Sequence, residues 1–181
     1  STSWNGPGGF GNRFVPPVYP CVVDSFRIRA SYTTSTPCAF CLFDDNGPSG
    51  EPGDTLCIDT IDVLTAGWYT VVPPAPITIN DGAVFVGAMS SVSSAPYFYM
   101  DTDIPRSLQG WEWTGSWSPS REQATYDVMA NLFIRAIPGD VGVAGIVAPV
   151  GTVDSMANVT PSAWVKNYGT TSASFQTFFT I

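Results

Sequence analysis

Five oxygen-bearing side chains lie close together in one polar loop of the sequence. They are Asp44, Asp45, Asn46, Glu51 and Asp54, in a stretch rich in Gly and Pro. Calcium prefers several oxygen ligands, so this set could assemble a calcium site, although the spacing is not that of an EF-hand loop. The same residue types are typical of turns in which Asp and Asn bond to their own backbone. We expect turn chemistry here and keep calcium binding as the alternative.

Four cysteines, Cys21, Cys38, Cys41 and Cys57, fall within one short stretch. An even number of cysteines in an acidic, lysine-poor chain favours disulfides in an exported protein. A hairpin closed by the polar loop would put Cys41 opposite Cys57 and leave Cys21 for Cys38, but the sequence does not fix the connectivity. Zinc binding through the Cys38-x-x-Cys41 pair and free buried thiols are the alternatives.

Three tryptophans, Trp111, Trp113 and Trp117, could form an aromatic platform on which a sugar ring stacks. Trp111 and Trp113 are two residues apart, so a strand would carry them on one face. Packing in a core or an interface explains the same pattern. The sequence therefore predicts either a carbohydrate-binding platform or a buried aromatic face.

The composition excludes several classes of function. The 181 residues contain no histidine, which removes Ser-His-Asp and Cys-His nucleophiles and HExxH zinc sites. Seven basic residues against 15 acidic ones give a net charge of −8, and this balance disfavours nucleic acid as a partner. The apolar runs contain Gly and Pro and are too short for membrane insertion. The carboxylates have no spacing typical of a glycosidase, so we predict a protein that is not an enzyme.

Strand patterns dominate the chain, and helical periodicity is nearly absent. Short runs of β-branched and aromatic residues alternate with Gly, Pro, Asp and Asn, which predicts an all-β sandwich or barrel. The predicted strands are Cys21–Tyr32, Cys38–Phe43, Thr55–Leu64, Gly67–Val72, Ile77–Ile79, Ala83–Met89, Tyr97–Asp101, Gly110–Trp113, Val128–Ile137, Val141–Val147, Ala157–Val165 and Ala173–Ile181.

A shift in composition near residues 137–140 predicts the domain organisation. All four cysteines and most tryptophans precede it, whereas Gly, Ala, Val and Thr dominate the remainder. We predict an extended amino-terminal arm over residues 1–17, a β-sandwich over 18–137 and a partial β segment of about three strands over 138–181.

Short motifs in the upstream part occur in a familiar order. They are the polar loop Asp44–Asp54, Gly67-Trp68-Tyr69, Val84-Phe85-Val86-Gly87 and Ile134-Arg135-Ala136. Together they resemble the non-catalytic jelly-roll modules of secreted bacterial surface proteins, including adhesin-associated ones. The resemblance implies a jelly-roll β-sandwich, an extracellular or cell-surface location, and core positions for Trp68 and Tyr69. The start at Ser1 without Met agrees with an exported, processed chain.

The downstream part is similar to the opening of the Ig-like, CARDB-like modules that often follow such jelly rolls. The resemblance is carried by Asp140-Val141-Gly142-Val143 and Val165-Lys166-Asn167-Tyr168-Gly169-Thr170. Those modules continue for several more strands, so the resemblance implies an Ig-like sheet that is incomplete here. The apolar face of a partial sheet needs cover, which a neighbouring subunit, a longer precursor or the jelly roll of the same chain could supply. We expect neighbouring subunits to supply it, with the free, Gly-rich amino-terminal arm as the donated strand.

These expectations combine into one predicted function. The protein would be an extracellular structural subunit of a self-assembling filament or fibre, joined to copies of itself by β-strand complementation. The alternative is a non-catalytic carbohydrate-binding or adhesion module of a larger surface protein, with polysaccharide as its partner. No cofactor other than calcium is suggested. The predicted subunit-interface residues are Trp4, Phe10, Phe14, Phe175, Phe178, Phe179 and Ile181.

Overall fold

The computed structural model describes residues 7–32, 37–91, 96–103, 108–123, 127–137, 141–151 and 158–169, together with Ser172 and Ser174. Over these residues the chain consists of β-strands and one 3-10 turn at Pro48–Gly50, which confirms the predicted all-β class. No helix among them is long and apolar enough to cross a membrane. In chain order the strands are β1 (Gly8–Phe14), β2 (Cys21–Tyr32), β3 (Pro37–Asp44), β4 (Thr55–Asp62), β5 (Gly67–Val71), β6 (Ile77–Ile79), β7 (Val84–Ser90), β8 (Tyr97–Phe98), β9 (Met100–Asp101), β10 (Gly110–Trp113), β11 (Trp117–Pro119), β12 (Asp127–Val128), β13 (Ala130–Ala136), β14 (Val141–Ala148) and β15 (Ser162–Asn167).

The larger sheet has six antiparallel strands in the order β11-β10-β1-β7-β3-β4. β1 lies inside this sheet, where it pairs with β7 over its whole length and with β10 on its other side. The predicted free arm over residues 1–17 is therefore wrong from Gly8 to Phe14. The physical reason is burial: Phe10 belongs to the hydrophobic core and Phe14 packs against it.

The second sheet is organised around the long strand β2. β13 and β5 pair with β2 on its two sides, and the short strands β6 and β8 also pair with it. The register with β13 shifts at Asp24, which has no residue opposite it in β13. This bulge reverses the alternation along β2, so Val23 and Phe26 both face the core.

The hydrophobic core lies between these two sheets, which confirms the predicted sandwich. Its centre contains large side chains with almost no solvent contact, and three aromatic rings meet edge to face at Phe40, Phe98 and Phe10. The core residues of the larger sheet are Phe10, Cys38, Phe40, Leu42, Cys57, Val84, Val86 and Ala88, and those of the sheet around β2 are Cys21, Val23, Phe26, Ile28, Ala30, Val71, Ile79 and Phe98.

The last two described strands form a separate antiparallel pair, which we call the ribbon (β14 and β15). Within the described part of the chain these strands pair only with each other. The register between them shifts twice, near Ala144 and near Val147. An isolated two-stranded sheet is at best marginally stable in water, so the ribbon alone would be marginally stable. A second, shorter pair is formed by β9 and β12.

Candidate functional site

The polar loop between β3 and β4 is stabilised by its own side chains. Asn46 Nδ2 donates to Asp54 Oδ2 at 2.9 Å, and the Asp54 N–H donates to Asn46 Oδ1 at 2.8 Å. Asp45 Oδ2 accepts the N–H of Ala83 at 2.7 Å, and Asp44 Oδ1 accepts the N–H of Asp45 at 2.9 Å. These bonds are the turn chemistry expected from the sequence.

The side chains of the polar loop are not arranged as a set of calcium ligands. The Glu51 backbone, rather than its carboxylate, takes part in the turn by accepting the N–H of Gly47. In the described ranges, no group of three or more acidic, thiol or imidazole side chains is placed to hold a metal ion. The oxygens of Asp44, Asp45 and Asn46 accept backbone N–H groups, and Asn46 also binds Asp54, so these side chains act in the turn and calcium binding stays an untested alternative.

All four cysteines are free, buried thiols in this structure, which corrects the disulfide prediction. The hairpin of β3 and β4 forms as expected, but Leu42 pairs with Cys57 and Cys41 pairs with Ile58. A register shift next to Leu42 produces this offset. Directly opposed residues share a sheet face, so Cys57 faces the main core while Cys41 faces the outer side of the sheet.

The burial of these thiols suppresses their chemistry. Desolvation raises the pKa of Cys38 and of Cys41 from 9.0 to about 12. Cys38 also donates from Sγ to the carbonyl oxygen of Met89 at 3.4 Å. Because the thiolate is the reactive form, these two side chains are poor nucleophiles and poor metal ligands near neutral pH.

The three tryptophans of the predicted sugar platform lie on the outer face of the six-stranded sheet. Trp113 pairs across strands with Trp117, and their rings meet edge to face at 5.6 Å. Trp117 also reaches Phe43 at 5.4 Å, while Trp111 contacts Phe85 at 5.8 Å. All three indoles are half-buried; Trp111 and Trp117 pack against a small second core, and Trp113 contacts Trp117. Sugar stacking on them stays a prediction.

Glycines make room for this aromatic layer. Gly9, Gly11 and Gly87 lie on the outer face of β1 and β7, and Gly11 is directly opposite Gly87. A Cβ at Gly11 would be 3.8 Å from Cη2 of Trp117, so the indole lies over the strand where side chains are missing. The glycine-rich sequence of β1 therefore has a packing role.

The predicted subunit-interface residues divide into two groups. Phe10 and Phe14 belong to the core of their own chain, so they are not available on a free arm. The others lie outside the described residues: Trp4, Phe175, Phe178, Phe179 and Ile181.

The ribbon exposes apolar side chains that the sequence analysis did not single out. Trp164 is 71 % exposed and Ile146 is 66 % exposed, and Val143 is similarly open to solvent. The periodicity of Val141–Val147 predicted a strand, and among the described residues this strand pairs with β15 alone. Exposed apolar side chains on an unpaired sheet are typical of an interaction surface.

A second exposed surface was also missed and lies on the outer face of the sheet around β2. Its side chains alternate cation and aromatic ring in the spatial order Phe133, Arg27, Trp68, Arg29 and Tyr99, and we call them the arginine ladder. The implied core position of Trp68 is wrong, because Trp68 and the core-packed Tyr69 point to opposite faces of β5. The alternation Phe26-Arg27-Ile28-Arg29 was the available signal.

Comparison of the chain with protein-family models, with curated proteins and with solved structures finds no match. The resemblance to jelly-roll and Ig-like surface modules is therefore supported only as far as the all-β sandwich.

Proposed function

We propose that the protein is a non-enzymatic structural subunit of an extracellular filament or fibre, whose copies join by β-strand addition at the ribbon. In this proposal residues 18–137 are a jelly-roll module of the surface-protein type, and β14 and β15 begin an Ig-like set of strands. The observation that carries the proposal is the exposed apolar surface of the ribbon.

The ribbon has two properties that favour strand addition. Within the described residues each of its strands has an open edge, which presents backbone N–H and C=O groups to a further strand. Its faces carry large apolar side chains such as Ile146 and Trp164. Burying one such side chain contributes about 1.5–3 kcal/mol, so a neighbouring strand or sheet would stabilise the ribbon considerably.

The position of β1 changes how the copies would join. The sequence suggested that the amino-terminal arm is donated to a neighbour, but Gly8–Phe14 pair within their own sheet. The six-stranded sheet therefore needs no donated strand between β7 and β10. This leaves the ribbon as the joining element, paired with the ribbon of another copy.

Size-exclusion chromatography with light scattering and negative-stain imaging of the full chain test the proposal. We expect association that grows with protein concentration and elongated particles in the images. Ile146→Asp should abolish association, because it places a charge on the apolar surface of the ribbon. Val72→Asp is the matched control, since Val72 is equally exposed but lies in a loop outside the ribbon.

Two results would overturn the proposal. One is a chain that stays monomeric at every concentration, which would mean that the ribbon is covered within its own molecule. The other is equal loss of association in Ile146→Asp and Val72→Asp, which would remove the special role of the ribbon.

A second candidate function, a non-catalytic carbohydrate-binding or adhesion module, is favoured by a different observation. At the cation–aromatic face of Arg27, Trp68 and Arg29 the Trp68 ring is exposed and the two arginines are half-buried, whereas the indoles of Trp111 and Trp117 pack against a second core.

A further inference from the structure

We propose that the arginine ladder binds an acidic polysaccharide, with sugar carboxylates on its two guanidinium groups and pyranose rings against its aromatic side chains. The ladder lies on the sheet around β2 and shares no residue with the ribbon, so this inference is independent of the assembly. It combines two kinds of contact, a planar cation and an exposed ring, in alternation.

Arg27 is held rigidly and keeps donors for a ligand. Its guanidinium carbon lies 4.3 Å from the centre of the Trp68 ring and 5.0 Å from that of Phe133. Its Nε donates to Asn131 Oδ1 at 2.9 Å. These contacts fix the plane of the guanidinium group, and a planar arginine fork matches a carboxylate through two parallel hydrogen bonds.

The charged guanidinium group of Arg29 lacks a strong hydrogen-bond acceptor among the described residues. Its guanidinium carbon lies 4.3 Å from the Tyr99 ring centre and 6.0 Å from that of Trp68. Nη1 has only the sulfur of Met129 at 3.8 Å, and the buried Nε has no hydrogen-bond partner among the described residues. A buried charged donor without a partner is costly, so an anion next to Arg29 would stabilise this arrangement.

The charge distribution makes the ladder unusual in this chain. The net charge is −8, and the ion pairs of the described residues involve Arg13, Arg121 and Arg135. Arg27 and Arg29 form no ion pair with a described carboxylate. Two unneutralised cations on one face of an acidic protein are complementary to an anionic partner.

The surroundings of the ladder favour a sugar polymer over an acidic peptide. Trp68 and Phe133 are 39 % and 42 % exposed, so parts of both rings are open for stacking. A groove of about 320 Å³ adjoins the ladder and is lined by Trp68, Asn131, Asp101 and Asp127 among others. Amide and carboxylate side chains in the groove can bind hydroxyl groups, which a sugar ring carries beside its carboxylate and an Asp or Glu side chain lacks. A sugar chain can place its hydroxyls there and its carboxylates on the ladder.

Binding to immobilised polygalacturonate, followed by biolayer interferometry at low protein concentration, tests the inference. Methyl-esterified polygalacturonate is the matched ligand, because it has the same rings without the negative charges. We expect binding to the acid form only, weakened by added salt. Arg27→Gln should reduce affinity by about tenfold or more, as expected for a lost hydrogen bond to a charged group. Arg121→Gln, which removes an arginine that is outside the ladder and is already paired with Glu112, should leave affinity unchanged.

Trp68→Ala separates stacking from charge, and Trp164→Ala is its control on the ribbon. We expect a loss of affinity for Trp68→Ala alone, with the urea midpoint of each variant confirming that it is folded. Equal binding of the two ligands, equal loss for Arg27→Gln and Arg121→Gln, or loss only for Trp164→Ala would overturn the proposal. An absence of binding to the acid form would also overturn the proposal. Self-association that depends on Arg27 would do the same, because the partner of the ladder would then be a second copy of the chain.

Discussion

Gly87→Ala is a direct test of the place of β1 in the larger sheet. A Cβ at Gly87 would overlap the carbonyl oxygen of Phe10 and lie 3.0 Å from the Cα of Gly11. Both neighbours are backbone atoms of β1, so no side-chain rotation relieves the overlap, and β1 must move away from β7. Overpacking typically costs about 1–3 kcal/mol, and a weakened backbone hydrogen bond adds about 1 kcal/mol. Because alanine also restricts the unfolded chain, we expect a net loss of about 1–3 kcal/mol.

Gly11→Ala is the matched control, because Gly11 lies directly opposite Gly87. A Cβ there meets Cβ of Phe85 at 3.5 Å and Trp117 at 3.8 Å, which are ordinary contacts. We expect this variant to be neutral or to gain less than about 1 kcal/mol. Urea unfolding followed by tryptophan fluorescence measures both free energies of unfolding from the shift of the midpoint.

The reasoning fails if Gly87→Ala is neutral or stabilising. That result would mean that no backbone lies against Gly87, and β1 would be the free arm that the sequence alone suggested. An equal loss in Gly11→Ala and Gly87→Ala would also contradict the structure, because it would show a general intolerance of side chains on these strands.

Two further predictions concern the core. Because burial raises the pKa of Cys38 and Cys41 to about 12, the folded state keeps protons that the unfolded chain loses above pH 9. Stability should therefore fall between pH 9 and 12 by about 1.4 kcal/mol per pH unit for each thiol, and an unchanged slope of urea midpoints against pH in Cys38→Ala would contradict this. Phe40→Ala removes a fully buried ring that meets Phe98 and Tyr69, so we expect a loss of about 3–5 kcal/mol in urea unfolding; a loss below 1 kcal/mol would show a core that collapses around the cavity.

Much of the sheet structure could be predicted from local pattern. Cys21–Tyr32, Ile77–Ile79 and Gly110–Trp113 have the predicted bounds, and most other strands differ from prediction by one or two residues. The three strands with exact bounds are rich in β-branched or aromatic residues, and Pro20, Pro76 and Gly110 mark where they begin. The predicted strand Ala173–Ile181 falls mostly outside the described residues.

β1 could not be predicted in this way, because its sequence Gly8–Phe14 is poor in strand-forming residues. It is held by its neighbours, which fill the space above its glycines with Met89 and Trp117. Such a strand is determined by tertiary packing rather than by propensity. The short strand β11 was not predicted either. Trp117 was interpreted as part of a ligand platform, whereas it pairs with Trp113 across the two strands.

The candidate sites were the least predictable part. The carboxylates of the polar loop were recognised as turn formers, but whether Asp45 binds Ala83 or a metal depends on a strand distant in sequence. The pairing of Cys41 with Cys57 failed because one register shift reverses the face of a residue. The arginine ladder draws on three strands, β2, β5 and β13, and on the connection between β8 and β9, so its aromatic residues come from distant parts of the sequence.

The acidic edge strand of the larger sheet affects how copies of the protein aggregate. Within the described residues β4 ends this sheet, and Asp59 and Asp62 on it are exposed. When two copies approach edge to edge, these carboxylates repel one another, so lateral fusion of sandwiches is opposed in dilute buffer. Dissolved salt shortens the reach of that repulsion. Edge-to-edge aggregation of the sandwiches should therefore increase with ionic strength. The same increase in ionic strength should weaken binding to an acidic polysaccharide.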